Sequence, residues 1–175
     1  MDARICLLRG VNVGGVKVPM NDLKAVALKA GLARPRTLLA SGNLIIDSDA
    51  PAAEVAERLE AGIEARFGRR IEVIVRTPAE WSALIAATPF AGPAAADGAK
   101  CLVMVMKAGV QAGAVEALRA FAVEGEQVEA AGGDLFFWFP NGMGRSKMAD
   151  KAQPRLIGLG TGRNWNTVLK LAEMV

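Results

Sequence analysis

The spacing of apolar and polar positions predicts strand, helix, strand, strand, helix, strand over the first half of the chain and the same order over the second. Arg4–Arg9 reads as a strand and Gly10–Gly15 as a loop. The next helix starts near Pro19–Asp22, where Asn21 or Asp22 can cap, and ends at Gly31; Met20, Leu23, Ala27 and Ala30 form its apolar stripe. Arg36–Ala40 and Asn43–Asp47 read as a hairpin over Ser41-Gly42, because Gly tolerates the positive φ of a tight turn. Pro51 opens a second helix in which Val55, Leu59, Ile63 and Phe67 recur every fourth residue; Gly68 ends it, and Ile71–Arg76 alternates as a strand.

The second half begins with a helix over Pro78–Ala87 and a Pro/Gly/Ala linker, Pro89–Ala99. Cys101–Met106 is predicted as a strand and Val110–Val123 as a helix with Val115, Leu118 and Ala122 on one face. Gln127–Ala131 and Asp134–Phe139 form a hairpin over Gly132-Gly133. Beyond Gly144 lie a basic segment, a short strand near Leu156–Leu159 and a last helix, Asn164–Met174, with Trp165, Val168, Leu169 and Ala172 inward.

This order predicts an α+β fold: a tandem of two ferredoxin-like (βαββαβ) halves, residues 1–77 and 100–175, joined by a helix and linker over 78–99. The unbroken apolar runs Cys101–Met106 and Leu135–Phe139 imply that both faces of the sheet are covered, with the 78–87 helix and the terminal helix as candidate covers. Halves of about 85 residues bury a limited core alone, so they are expected to pack together.

Composition then narrows the chemistry. Of 175 residues 52% are apolar, too many for a disordered chain. His and Tyr are absent, which removes Ser-His-Asp and Cys-His catalysis and every imidazole-bound metal. The two Cys, Cys6 and Cys101, sit in apolar runs and read as small buried hydrophobes of a reducing compartment. No segment has the pattern of a signal peptide or a membrane span, so a cytoplasmic location is expected. The net charge of +3 is unevenly spread: residues 1–50 carry +3, 51–100 carry −1, 101–144 carry −3 and 145–175 carry +4.

Four segments are richer in Gly, Asn, Arg and Ser than a scaffold needs: Leu8–Gly15, Ser41-Gly42-Asn43, Asn141–Lys147 and Arg163–Thr167. With the LRGVNVGG opening, the SGN turn, the VRT segment, the NGMGRSK loop and the RNWNT close, the chain resembles the bacterial family known as domain of unknown function 1697. The resemblance implies paired ferredoxin-like halves and carries no activity with it. Three positions depart from the family pattern: Ala40, where a Gln commonly precedes SGN; Thr88, where Asn is usual; and Gly162, where Thr usually precedes RNWNT.

The opening loop has a strand-glycine-helix layout, with Gly10, Gly14 and Gly15 either aiming N–H groups at an anion or only turning the chain. It matches neither a P-loop nor a dinucleotide fingerprint, since Asn12 stands where the second Gly would be needed. In the 141–147 loop Gly144 precedes two cations and a hydroxyl suited to phosphate or carboxylate, while Ser146 can equally cap a helix over Met148–Lys151. Arg163 and Asn166 can face outward at the start of the last helix, with Asn164 as its N-cap. Asp22, Asp47 and Asp49 single out no acid/base couple and read as solvated.

The leading expectation is a binding module for a phosphorylated small molecule or a nucleic-acid backbone. Its candidate residues are Arg9, Asn12, Gly14, Gly15, Ser41 and Asn43, then Asn141, Gly142, Gly144, Arg145, Ser146 and Lys147, and lastly Arg163, Asn164 and Asn166. No cofactor, metal or membrane contact is expected. A His-independent transferase or hydrolase acting on a phosphorylated substrate is the rival, with Mg²⁺ or a carboxylate activating the nucleophile. Pairing of exposed edge strands into a homodimer is the third reading. RNA binding on a sheet face is disfavoured, because the central strands lack a wet aromatic platform.

Overall fold

A computed structural model describes residues 1–175. It shows a mixed α+β chain with two four-stranded antiparallel sheets, divided into two units: Met1–Trp81 with Leu171–Val175, and Ser82–Lys170.

The first unit runs β1 (Asp2–Leu8), α1 (Met20–Lys29), β2 (Ala33–Leu38), β3 (Asn43–Ser48), α2 (Ala52–Phe67) and β4 (Val73–Arg76), in the sheet order β2-β3-β1-β4. Every residue of β3 is buried, as are Ile5–Leu8 of β1. On one face Cys6, Leu8, Leu44 and Ile46 pack against Leu23, Val26 and Ala27 of α1 and Val55, Leu59 and Ile63 of α2. Each such aliphatic side chain contributes roughly 1.5–3 kcal/mol by leaving water. Helix α1 begins one residue after Pro19 without a side-chain cap, so neither Asn21 nor Asp22 plays that part; Gly68, in the left-handed region, ends α2 as expected. The helices approach closely at Gly62, where a Cβ would lie 2.8 Å from Val26 Cγ1.

Next in the chain comes α3 (Pro78–Ala86), opened by a reciprocal cap: Thr77 Oγ1 accepts from Glu80 N at 3.2 Å, and Glu80 Oε2 accepts from Thr77 N at 2.8 Å. The expected linker at 89–99 is structured instead, as α4 (Ala91–Ala96) and a 3-10 turn, Gly98–Lys100. A run rich in Ala is a good helix former, and Gly92 and Pro93 fall in the first turn, where Pro loses no intrahelical hydrogen bond.

The second unit continues with β5 (Cys101–Met106), α5 (Ala114–Arg119), β6 (Gln127–Ala131), β7 (Asp134–Trp138), α6 (Lys147–Lys151), α7 (Pro154–Ile157), β8 (Gly160–Asn164) and α8 (Trp165–Ala172). Its sheet order is β6-β7-β5-β8. Two expectations are corrected here. The helix predicted over 110–123 shrinks to α5, because Gly113 (φ 78°) stands at its start and Glu124 (φ 50°) with Gly125 (φ 82°) turns the chain after it. The strand predicted near 156–159 lies later, as β8, because Pro154 opens α7 and Gly158 closes it. Two residues of β8 are Gly, which disguises it in sequence: a Cβ at Gly160 would lie 2.7 Å from Met106 Sδ, and one at Gly162 would lie 3.2 Å from Leu102 Cδ1. Met106, Leu135, Phe137 and Phe139 form the core of this unit with Leu118, Met148 and Ile157, and the rings of Phe137 and Phe139 stack at 5.5 Å.

Gly42 is held in two ways: φ is 83°, and a Cβ there would lie 2.5 Å from Val11 Cγ2 and 2.9 Å from Leu8 Cβ. Gly14 has φ 65° but open space around it. Gly42→Ala should therefore cost about 3 kcal/mol, against about 1 kcal/mol for Gly14→Ala, in urea unfolding; equal costs would refute the close packing of the two turns.

Both thiols are buried, and burial pushes Cys6 up to about 12, with Arg4 opposing slightly, and Cys101 up to about 11. Their ionisation in the unfolded chain begins near 9.0, so the folded protein binds more protons above that pH and stability falls as pH rises toward 11 and 12. Denaturant melts between pH 9 and 10 should show that loss, and a Cys6→Ala, Cys101→Ala variant should show a flatter dependence.

Candidate functional site

In the first unit the Gly/Asn-rich motifs are consumed by architecture. Asn12 sits in the left-handed region (φ 56°), and its side chain ties the opening loop shut: Nδ2 donates to the carbonyls of Val18 (3.1 Å) and Ala40, and Oδ1 accepts from Val18 N at 2.9 Å. The neighbouring turn is tied from the other side, where fully buried Asn43 donates from Nδ2 to the Leu38 carbonyl and to Ser41 Oγ, each at 2.8 Å. Leaving that amide unpaired would cost roughly 1–3 kcal/mol. The structure thus brings Asn12, Ser41 and Asn43 together as one interlocked pair of turns. Arg9 is half-buried beside them, its backbone N donating to Glu72 O at 3.0 Å, while Gly14 and Gly15 are exposed.

Buried carboxylates also depart from expectation. Asp47 is buried, not solvated, because Arg34 and Arg36 both pair with it. Glu60, also buried, accepts from Val73 N at 3.0 Å and from Arg70 Nη2 at 2.9 Å, joining α2 to β4.

In the second unit the RNWNT segment is likewise structural. Arg163 does not face outward: pairing of β8 with β5 turns it inward, 6% exposed, where it donates to Thr161 Oγ1 at 2.8 Å and to the Gly162 carbonyl at 2.7 Å. Burial lowers its pKa to about 10. Asn164 caps α8 by accepting from Thr167 N at 3.0 Å. Asn166 is exposed and lies against Gly98, where a Cβ would come within 2.3 Å of its Oδ1.

The 141–147 loop divides between scaffold and surface. Asn141 donates to Glu124 Oε2 at 3.0 Å, pinning the loop to the turn after α5, and buried Ser146 caps α6 by accepting from Ala149 N at 3.1 Å. Gly142 has φ 83°, Gly144 meets nothing within 4 Å, and Arg145 is exposed. Lys147 is different, because it opens onto a depression of about 550 Å³ lined also by Phe121, Asp150, Lys151, Gln153 and Arg155.

That depression is built by two short anchored helices. Met148 buries α6 and Ile157 buries α7, which leaves Lys147 and Lys151 exposed four residues apart on one helical face and Arg155 exposed on the next helix. Gln153 Nε2 donates to the Asp150 carbonyl at 3.0 Å and fixes the corner between them. The ammonium of Lys151 stands over the Phe121 ring, 5.2 Å from its centre. None of Lys147, Lys151 and Arg155 is in an ion pair, in a chain where Arg34, Arg36, Arg58, Arg66, Arg70 and Arg119 all have carboxylate partners. No group of three or more His, Cys, Asp or Glu side chains is gathered to hold a metal ion. No helix is long and apolar enough to cross a membrane.

Sequence reading found Lys147 and missed Phe121, Asp150, Lys151, Gln153 and Arg155. The signal available was the i, i+4 pair of lysines just after a capping Ser; Arg155 was hidden because its neighbours were read as a strand.

Two antiparallel four-stranded sheets with flanking helices define an α+β protein of two units. Comparison sharpens this. The family described as protein of unknown function (DUF1697) matches over residues 1–136, and the chain belongs to that family. Among solved structures it is similar to the conserved bacterial protein SP0830 from Streptococcus pneumoniae, at 21% identity over 99% of this chain and 98% of that one, with a TM-score of 0.79. That similarity shows the fold. No curated protein matches.

Ser146→Ala should cost about 1 kcal/mol in stability through loss of the α6 cap, whereas Ser146→Asp, which can still cap, should retain most of it; urea melts of the two variants check the assignment.

Proposed function

We propose that the second unit binds a small phosphate-bearing ligand in the depression between α6, α7 and the turn after α5. The observation that carries this reading is the convergence of Lys147, Lys151 and Arg155 on one cavity without a carboxylate partner. Like charges four residues apart on a helix repel, so their grouping costs stability unless an anion relieves it. Arg offers a fork for two phosphate oxygens, and Lys offers a mobile point charge. The cavity volume falls within the range of small-ligand sites. In this reading the Gly/Asn motifs of the first unit are architecture, and the site lies in the most basic stretch of the chain.

We also infer that each unit is of the ferredoxin-like, split-βαβ type. The shared order of strands, second-third-first-fourth in both sheets, supports it.

The test is thermal unfolding of the full chain with inorganic phosphate and ribose 5-phosphate at low and high salt. A ligand at a hundred times its Kd stabilises by about 2.7 kcal/mol, a rise of roughly 5–10 °C for a chain of this size. The rise should shrink in high salt and vanish in a Lys147→Ala, Lys151→Ala, Arg155→Ala variant that still folds, its unliganded melting temperature moved only by the small repulsion and cation–π contact it loses, since all three side chains are exposed. A wild-type chain indifferent to both ligands would overturn the proposal.

A further inference from the structure

Resting on that reading of the site, we propose that its ligand is a nucleoside monophosphate, held by phosphate, ribose and base together. The depression carries more than cations. Lys147, Lys151 and Arg155 against Asp150 leave two positive charges among the lining side chains, which matches one phosphomonoester of charge −1.5 to −2 at neutral pH and falls short of a triphosphate. A bare phosphate site gains nothing from a carboxylate in its wall, because like charges repel. A carboxylate does serve a sugar, since an ionised Asp only accepts hydrogen bonds and a ribose diol offers two donors. The Asp150 side chain has no partner of its own, so its oxygens are open to such hydroxyls.

Two of the remaining groups, Phe121 and Gln153, suit a base. Phe121 gives a flat aromatic surface in a wall whose one other apolar side chain is Leu156, and at 37% exposure its ring is open to more than the core. Its one ring partner is the Lys151 ammonium. A phosphate in the depression competes for that ammonium with a full charge, against a cation–π contact that is weak at an exposed site. Engaging phosphate therefore draws Lys151 away and frees the ring face for a base. Gln153 commits one N–H to the Asp150 carbonyl, which leaves its amide oxygen and a second N–H for a base edge. Phosphate binding and base stacking are coupled through one side chain, so a phosphate without a base uses only part of the site.

Calorimetric titration of the full chain with AMP, GMP, CMP and UMP, and with ribose 5-phosphate, tests this. At least one nucleotide should bind about tenfold or more tighter than ribose 5-phosphate, the increment expected from base–aromatic stacking. Phe121→Ala and Phe121→Leu should each abolish that preference while leaving ribose 5-phosphate affinity unchanged or slightly raised, since the ring no longer competes for Lys151; the Leu variant keeps the apolar volume and controls for folding. Equal affinity for ribose 5-phosphate and all four nucleotides would overturn the nucleotide inference and leave the phosphate site standing, whereas no binding of any of them would remove the phosphate site itself. A 5′-phosphorylated hexa-adenylate bound more than tenfold tighter than AMP would overturn the free mononucleotide in favour of a strand end.

Discussion

In each unit the fold depends on two neighbouring strands buried, over most of their length, on both faces. In the first they are β1 and β3, and in the second β5 and β7. Ile45 and Ile46 point to opposite faces, yet both are buried, and Phe136 and Phe137 repeat the arrangement. A strand so placed tolerates a polar group only when its hydrogen bonds are met within the protein. Asn43, Asp47 and Asp134 all lie on such strands, and each is tied to backbone or to arginine: Asn43 to Leu38, Asp47 to Arg34 and Arg36, and Asp134 to the backbone N of Met106 at 2.7 Å.

From that constraint follows the fate of the most conspicuous motifs. Asn12, Gly42 and Asn43 look like ligand-binding residues because Gly and Asn are what loops around ligands also use. Here they close two turns against each other at the end of buried strands, where neither a Cβ nor an unmet amide fits. Arg163 and Asn164 make the same point in the second unit, one satisfying a strand from inside and the other capping the helix that follows.

The chemistry left over lies where the scaffold is least demanding. Between its third and fourth strands the first unit has the 16-residue α2, stitched by Glu54–Arg58 and Arg70–Glu60 pairs. The second unit spans the same interval with α6 and α7, of five and four residues. Short helices satisfy few of their own backbone groups and leave a corner between them. In that corner stand Lys147, Lys151 and Arg155, none of them in an ion pair.

Apolar spacing alone determined the strand and helix order, most element boundaries in the first unit, the burial of both Cys and the double coverage of the central strands. These are local properties, since a period of two or of about four survives whatever the chain packs against. The sequence also carried the cap at Ser146 and the basic character of the last thirty or so residues. Only the tertiary structure decided that a strand containing two glycines completes the second sheet, and that Arg163 turns inward. Each depends on a neighbour distant in sequence: Leu102 and Met106 beneath Gly162 and Gly160, or β5 beside Arg163. The same is true of the candidate site, because Phe121 and Arg155 lie thirty-four residues apart and meet only when α5, α6 and α7 pack on a shared core.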